Sequence, residues 1–370
     1  MRLASLTLEN YRNIAAASLV PGPELTVICG NNGQGKTNLL EAVWLLTGGK
    51  SFRGGKDAEL VRRGAEYAAL EAVTVESSGK ENEIRLTVGA PGAGRPGRYA
   101  VRNGAPPKRA SSLAGSFPAV VFDPGHLSLV KGPPDGRRRF LDAALCQLYP
   151  GYLTLYRRYV RILQQKNSLL RRCPVGQERP LREKLDLLDV LNVELAACGE
   201  EIQARRRAYL DLLAPMASEN YRELSRGAER LEISYEAQFE PGGLAACLAA
   251  RRDEEVRAGQ SLCGPHREDL AFALDGQPAR SFASQGQQRS VVLSLKMAEA
   301  DASARITGER PVLLLDDVLS ELDDERQTYL LTRMGEHQTI VTTCDTAAFA
   351  RTTGKIVYVK GGQASETPFA

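Results

Sequence analysis

Apolar positions repeat with period two near the two ends of the chain and with helical period in the middle. Leu3–Leu8, Ala69–Val75, Glu83–Val88 and Arg98–Val101 alternate or run β-branched and predict strands. Leu25–Cys29 is a short, continuously apolar run, as expected of a buried strand. Residues 37–46 follow with Leu39, Leu40, Val43 and Leu46 on one helical face. Pro91 to Gly97 predicts a loop, and Asn103-Gly104 a tight turn. From about Phe117 the texture changes. After a short strand at Ala119–Phe122, helical periodicity runs to about Arg257. In 153–170 one face carries Leu155, Tyr159, Ile162, Lys166 and Leu169; in 181–209 it carries Leu181, Leu185, Leu188, Leu191 and Leu195. Pro174 and Pro180 bracket the turn between them. The expectation is an antiparallel helical hairpin, too short for a long coiled-coil arm, whose apolar stripe packs within the chain. Strand texture returns after Gly264. A helix is expected over 290–300, strands at Pro311–Leu315, Thr339–Thr343 and Ile356–Lys360, and a helix at 321–334.

The junction between Cys29 and the first helix reads Gly30-Asn31-Asn32-Gly33-Gln34-Gly35-Lys36-Thr37, which fits the phosphate-loop pattern G-x-x-x-x-G-K-[ST]. Strand, glycine loop and helix supply the context that motif needs. Backbone N–H groups and the helix N-terminus would cradle phosphates, Lys36 would reach the β- and γ-phosphates, and the Thr37 hydroxyl would ligate Mg²⁺. The run Val312–Leu315 ends in Asp316-Asp317, a Walker B pattern. There Asp316 would hold Mg²⁺ and Asp317 would orient the attacking water. A nucleoside triphosphate, with Mg²⁺, is the expected cofactor, and Lys36, Asp316 and Asp317 are the expected catalytic set.

Composition narrows the class. Of 370 residues, 43% are hydrophobic and 25% charged, ordinary for a soluble globular chain, and no apolar run reaches the length of a membrane span. The first eight residues alternate like a strand and do not resemble a signal peptide. Seven scattered cysteines contain no C-x-x-C pair, so neither a disulfide framework nor a zinc knuckle is expected, and a reducing cytoplasm is the expected location. Three distant histidines, His126, His266 and His337, argue against a histidine-rich metal site. Net charge is +3, but Arg98 to Arg182 holds sixteen Lys and Arg against four acids. That local +12 leaves the rest of the chain at −9 and points to a polyanionic partner. Arg137, Arg138, Arg139, Arg157, Arg158 and Arg161 are the expected DNA contacts, sequence-independent because no base-reading motif is present. Solvated helix faces and pairing of the Arg137–Arg139 cluster with acids such as Asp142 are the alternatives for these arginines.

Further stretches carry a resemblance. Ser284-Gln285-Gly286-Gln287 resembles the signature motif of ABC-type ATPases, Ser320-Glu321-Leu322-Asp323 their D-loop, and Val341-Thr342-Thr343-Cys344-Asp345 lies where their switch loop falls. Leu8-Glu9-Asn10-Tyr11-Arg12-Asn13, Phe122-Asp123-Pro124, Leu129-Val130-Lys131-Gly132-Pro133, Arg137 to Asp142 and Gly264 to Leu270 are together similar to the RecF family of the SMC/ABC class, from Met1 to about Lys360. The resemblance implies an α/β fold: an ABC-type P-loop ATPase head with an antiparallel β subdomain and an inserted α-helical subdomain. Residues 1–116 with 285–370 would form the ATPase lobe, and 117–284 a mainly helical lobe. It further implies Gly30, Asn31, Asn32, Gly33, Gln34, Gly35, Lys36 and Thr37 as the ATP loop, Arg12 and Asn13 as further nucleotide contacts, and Ser284, Gly286 and Gln287 as contacts from a second copy. An ATP-dependent homodimer on duplex DNA and gap junctions, RecO and RecR as partners, recombinase loading, the SOS response, and a slow DNA-stimulated ATPase used as a switch are likewise implied. Asp317 replaces the glutamate usual in ABC ATPases, and Thr342 or Thr343 stands where many have histidine; both substitutions imply slow turnover. A monomeric phosphotransferase would have no use for the signature and D-loop pair. A nucleotide-gated scaffold is the other reading. A nuclease of the overcoming-lysogenization family would require an acidic domain not expected before Ala370.

Overall fold

Burial separates the strands into two kinds. Those at 67–75 and 81–89 mostly alternate buried with more exposed positions, whereas those at 119–122, 312–316 and 339–343 are buried throughout. The first pattern belongs to a sheet with one wet face, the second to a parallel sheet covered on both. The computed structural model, which describes residues 1–171, 182–345, 349 and 354–369, contains both.

Along the chain, β1 (Arg2–Tyr11), β2 (Ile14–Leu19) and β3 (Leu25–Cys29) lead into α1 (Lys36–Leu45). Then come β4 (Tyr67–Val75), β5 (Glu81–Gly89), β6 (Gly97–Arg102), β7 (Lys108–Arg109) and β8 (Ala119–Phe122). The helical part holds α2 (Ser128–Lys131), α3 (Pro134–Leu148), α4 (Tyr152–Arg171) and α5 (Arg182–Leu224). After β9 (Leu231–Glu236) come α6 (Leu244–Ala250), α7 (Arg252–Ala258), β10 (Asp269–Leu274), β11 (Gln277–Pro278), α8 (Ala279–Phe282) and α9 (Gln285–Thr307). The chain closes with β12 (Val312–Asp316), α10 (Asp324–Met334), β13 (Thr339–Thr343), β14 (Lys355–Lys360) and β15 (Gln363–Ser365).

One antiparallel sheet runs β2-β1-β4-β5-β6-β7, and the second sheet runs β15-β14-β3-β13-β12-β8, parallel except for its β15 edge. α1 is buried among apolar residues of both sheets, including Leu6, Leu70 and Leu314. That explains why most of its side chains are hidden. The other face of the parallel sheet packs Val120, Leu313 and Val341 against Leu293 and Met297 of α9 and Leu330 of α10. A separate core joins α3, α4, α5 and one side of α9, with Tyr159, Leu195, Tyr209 and Val291 inside.

Several sequence expectations change. β8 is hydrogen-bonded in parallel to β12, so the ATPase sheet takes a strand from beyond residue 117. β2 and β9 were not expected; pairing with β1 and β10 makes strands of segments whose own patterns are weak. α5 continues past Tyr209, through Pro215, to Leu224. Cys247 and Cys263 are joined as a disulfide with Cα atoms 6.5 Å apart, against the expectation from spacing alone. Pro174, Pro180 and Leu181 lie outside the described residues.

Candidate nucleotide site and basic surface

β3 delivers Gly30 to the C-terminal edge of the parallel sheet. A Cβ there would stand 2.3 Å from the Val359 carbonyl oxygen, so only glycine fits against β14. Gly35 precedes α1 with φ 112°, in the left-handed region, and no side chain caps that helix. The loop is tied to the β14–β15 turn: Gly362 N–H donates to the Gln34 carbonyl at 2.9 Å and Gly361 N–H to Gln34 Oε1 at 2.6 Å. Lys36 Nζ donates to the carbonyls of Gly30 (2.6 Å) and Asn31 (3.1 Å) and meets Cys344 Sγ at 3.3 Å. Cys344 Sγ in turn contacts Asn32 Oδ1 at 3.0 Å.

Strand order β3-β13-β12 places one strand between the loop and Asp316-Asp317. Thr37 Oγ1 and Thr342 Oγ1 both donate to Asp316 Oδ1 at 2.8 Å. Thr342 also accepts the Asp317 N–H through Oγ1 (3.0 Å) and its carbonyl (3.2 Å). Asp317 has φ 53°, a left-handed conformation that aspartate tolerates. The Thr37 hydroxyl and Asp316 carboxylate are hard oxygen donors side by side. They suit Mg²⁺, which takes one or two protein oxygens and completes its octahedron with phosphate and water. No cluster of three or more His, Cys, Asp or Glu suited to a metal occurs among the described residues.

Two further residues join this edge. Asp123 follows β8, one step beyond the Leu315–Phe122 register pair and therefore beside Asp316. Burial pushes its carboxyl up and the Asp316 charge adds to that, while the Gly125 N–H and Lys296 oppose it. Arg53 donates to Asn38 Oδ1 at 2.7 Å, holding an exposed cation near the first turn of α1. An acid directly after a third buried strand was the available signal for Asp123. Arg53, a lone arginine between Phe52 and Gly54, gave none.

Asn13 accepts from Asn38 Nδ2 at 2.7 Å and lies against Gly35. Arg12 is otherwise engaged. Its Nη2 donates to Glu41 Oε1 at 2.6 Å and its Nε to Glu41 Oε2. Glu41 is fully buried and also accepts from the Tyr11 hydroxyl at 2.6 Å and from Ser51. Burial opposes its charge, but hydrogen bonds from Arg12, Ser51 and Tyr11 hold its carboxyl below the ordinary range. Arg12 therefore braces α1 behind the loop through its Nε and Nη2, while Nη1 has only a 3.5 Å contact to the Glu59 carbonyl.

Ser284 and Gln287 form a reciprocal cap on α9. Ser284 Oγ accepts the Gln287 N–H at 3.2 Å, and Gln287 Oε1 accepts the Ser284 N–H at 2.7 Å. Gln287 Nε2 also donates to Glu229 at 2.6 Å, so this side chain is committed within its own chain. Ser284 is exposed and Gly286 half-buried against Arg326. Arg326 links this cap to the D-loop, donating to Ser290 Oγ at 2.8 Å and pairing with Asp323. Among the described residues no hydrogen bond or ion pair joins Ser284–Gln287 to the Gly30–Thr37 loop. The structure thus brings loop and Walker B together and leaves the signature apart, on its own helix end.

The basic cluster divides. Arg137 is buried and forks onto Asp269 at 2.7 and 2.6 Å, with further bonds to the carbonyls of Leu129 and Gly132. This corrects its assignment as a DNA contact: it pins α3 to β10. Arg138 is also held, by the Glu268 carbonyl at 2.7 Å and by Asp135. Asp142, the acid expected near this cluster, instead receives the buried Arg206 at 3.0 and 2.9 Å. Arg139, Arg157 and Arg161 are exposed, and Arg158 meets exposed Glu194 at 3.3 Å.

A phosphate loop and Walker B pair separated by one strand, with a capped signature helix and an inserted helical lobe, define an ATPase head of the SMC/ABC type. The RecF/RecN/SMC N-terminal domain model matches residues 2–365. The chain is 39% identical to the DNA replication and repair protein RecF of Geobacillus thermodenitrificans over 354 residues, 93% of this chain and 92% of that one. It is 38% identical to RecF of a Synechococcus species, covering 100% of this chain and 98% of the other. A solved structure of the recombination mediator protein RecF with ATP superposes with a TM-score of 0.88 at 30% identity, covering 99% and 97% of the two chains. A Pyrococcus furiosus Smc head domain shares the fold at 16% identity, TM-score 0.56, covering 98% and 95%. The chain belongs to the RecF family.

Proposed function

We propose that this protein is an ATP-dependent DNA-binding switch of DNA replication and recombinational repair. ATP closes two copies head to tail, the closed pair holds DNA by its phosphates, and slow hydrolysis releases it. One observation carries the reading: Thr37 and Asp316 meet at 2.8 Å beside the loop, while Ser284 waits on an exposed helix end outside it. A nucleotide seated on the first group would have a face left for the second group of another copy. Lys36 would exchange the Gly30 and Asn31 carbonyls for phosphate oxygens. Mg²⁺, held by Thr37 and Asp316, would neutralise phosphate charge. Asp317, oriented by Thr342, would position water, its side chain one methylene shorter than glutamate and so less effective, in keeping with slow turnover.

The names of the relatives support a place in DNA repair, and the RecFOR pathway named for the solved structures supports RecO and RecR as partners. Single-strand gaps and gap junctions in the cytoplasm are the proposed setting, with recombinase loading and the SOS response downstream. No helix among the described residues is long and apolar enough to cross a membrane. Sedimentation with and without ATP and gapped DNA tests the reading. The expected result is a monomer that becomes a dimer with ATP and co-sediments with DNA. A species that stays monomeric when saturated with ATP would defeat the switch.

A further inference from the structure

A groove of about 550 Å³ lies between β7, the turn after it, and the α3–α4 junction. Lys108, Arg109 and Arg157 line it together with the hydroxyls of Ser111, Ser112 and Thr154, and no carboxylate is among its lining residues. None of the three cations is ion-paired among the described residues. Arg157 Nη1 donates to Ser111 Oγ at 2.9 Å, a neutral partner that positions the guanidinium without discharging it. The Arg109 guanidinium lies 4.8 Å from the Tyr99 ring centroid, and that of Arg95 lies 3.8 Å from it. Such aromatic contacts orient a cation and leave its charge available. With Arg137 and Arg138 held by internal partners, three exposed cations of the basic segment, Lys108, Arg109 and Arg157, converge here.

The groove is remote from the ATP edge. Gln147 lines it and accepts the Ala119 N–H at 3.2 Å, at the start of β8. β8 runs parallel to β12, which ends at Asp316. The groove and the phosphate loop therefore occupy opposite ends of one sheet, separated by the strand length of about 15 Å or more.

We infer that this groove is a seat for the phosphodiester backbone of nucleic acid. This inference rests on the DNA-binding reading above and gives that reading a location. Unpaired cations alternating with hydroxyl donors are the groups that hold phosphate oxygens without reading bases. A channel without acids presents no repulsion along its length, and each phosphate it neutralises releases counterions.

The test is anisotropy of labelled single-stranded and duplex DNA against salt, for the full chain and for Lys108→Gln/Arg109→Gln/Arg157→Gln. The expected result is a loss on the order of a hundredfold near 0.1 M salt, and a log–log salt slope reduced by about 2 to 3. ATP binding should be unchanged. Lys80→Gln/Arg257→Gln, which removes exposed cations elsewhere, should stay within about twofold of the parent chain. Photoreactive p-benzoylphenylalanine at Ser112 should cross-link to DNA in the otherwise unaltered chain, which guards against a variant that fails to fold. Parent-like affinity and slope in the triple variant, or absence of the cross-link, would overturn the groove alone. A parent chain that binds neither DNA with or without ATP would overturn the DNA reading itself. Loss of polyglutamate binding with DNA binding retained would reassign the groove to an acidic peptide.

Discussion

The two helix ends expected to meet phosphate are built in opposite ways. α1 starts after left-handed Gly35 with no side-chain cap, so its first N–H groups are left for a ligand. α9 starts with a reciprocal cap, Ser284 with Gln287, so two of its end donors are satisfied before any ligand arrives. An uncapped end costs folding stability and returns it on binding; a capped end is stable alone and must exchange a bond to bind. The difference predicts that ATP affinity rests more on α1 than on α9.

Lys36→Ala breaks the comparison at its strong side. ATP affinity should fall by about a hundredfold or more, roughly 3 kcal/mol, by titration calorimetry. The same assay on Ser284→Ala should stay within about twofold; equal losses in both variants would erase the distinction between the ends. Ser284→Arg tests the weak side. It should leave single-copy ATP binding intact and raise the ATP-dependent dimer dissociation constant by about tenfold or more, seen by sedimentation. An unchanged dimer would remove α9 from the interface.

Acid should affect the lobe that supports α9. Burial lowers the His266 imidazole to about 4, and Tyr159 hydroxyl contacts its Nδ1 at 2.6 Å. The unfolded chain, with an ordinary imidazole near 6.5, then binds the proton first. The stabilising term is present above that value and declines as pH falls from about 6.5 toward 4, by about 2 kcal/mol at pH 5. Urea unfolding at pH 7 and 5 should show this slope in the parent chain and lose most of it in His266→Gln. Identical slopes would rule His266 out as its source. The smallest effect is the cap itself: Ser284→Ala should cost about 1 kcal/mol of stability, read from the denaturant midpoint. A shift below about 0.3 kcal/mol would mean that the cap does not hold α9 in solution.

Local pattern made much of this legible. Thr339–Thr343 was bounded to the residue, because a short β-branched run between polar flanks has few alternatives. Gly30 to Thr37 and Asp316-Asp317 are contiguous and carry their own chemistry, and the sheet brings them together as their spacing required. Partners far along the chain were not legible. Arg137 reads as a free cation until Asp269, 132 positions away, is brought against it. Glu41 carries no sequence signal of its buried role, which depends on Tyr11, Arg12 and Ser51 closing over it. β2 is alanine-rich and has little strand preference of its own; β1 supplies the ladder. Thr342 could be named as a switch position, but its hold on both carboxyl-bearing residues requires β13 to lie between the two motif strands.

The 43 residues of α5 form a rod of about 65 Å at ordinary helical rise. Near one end Asp189 is gripped by Arg252 at 2.7 Å; toward the other, Asn220 donates to the Ser294 carbonyl of α9 at 3.3 Å. No loop interrupts the span. A load applied near Asp189 would therefore reach α9 through one unbroken helix, a mechanical link between two parts of the chain that share no loop.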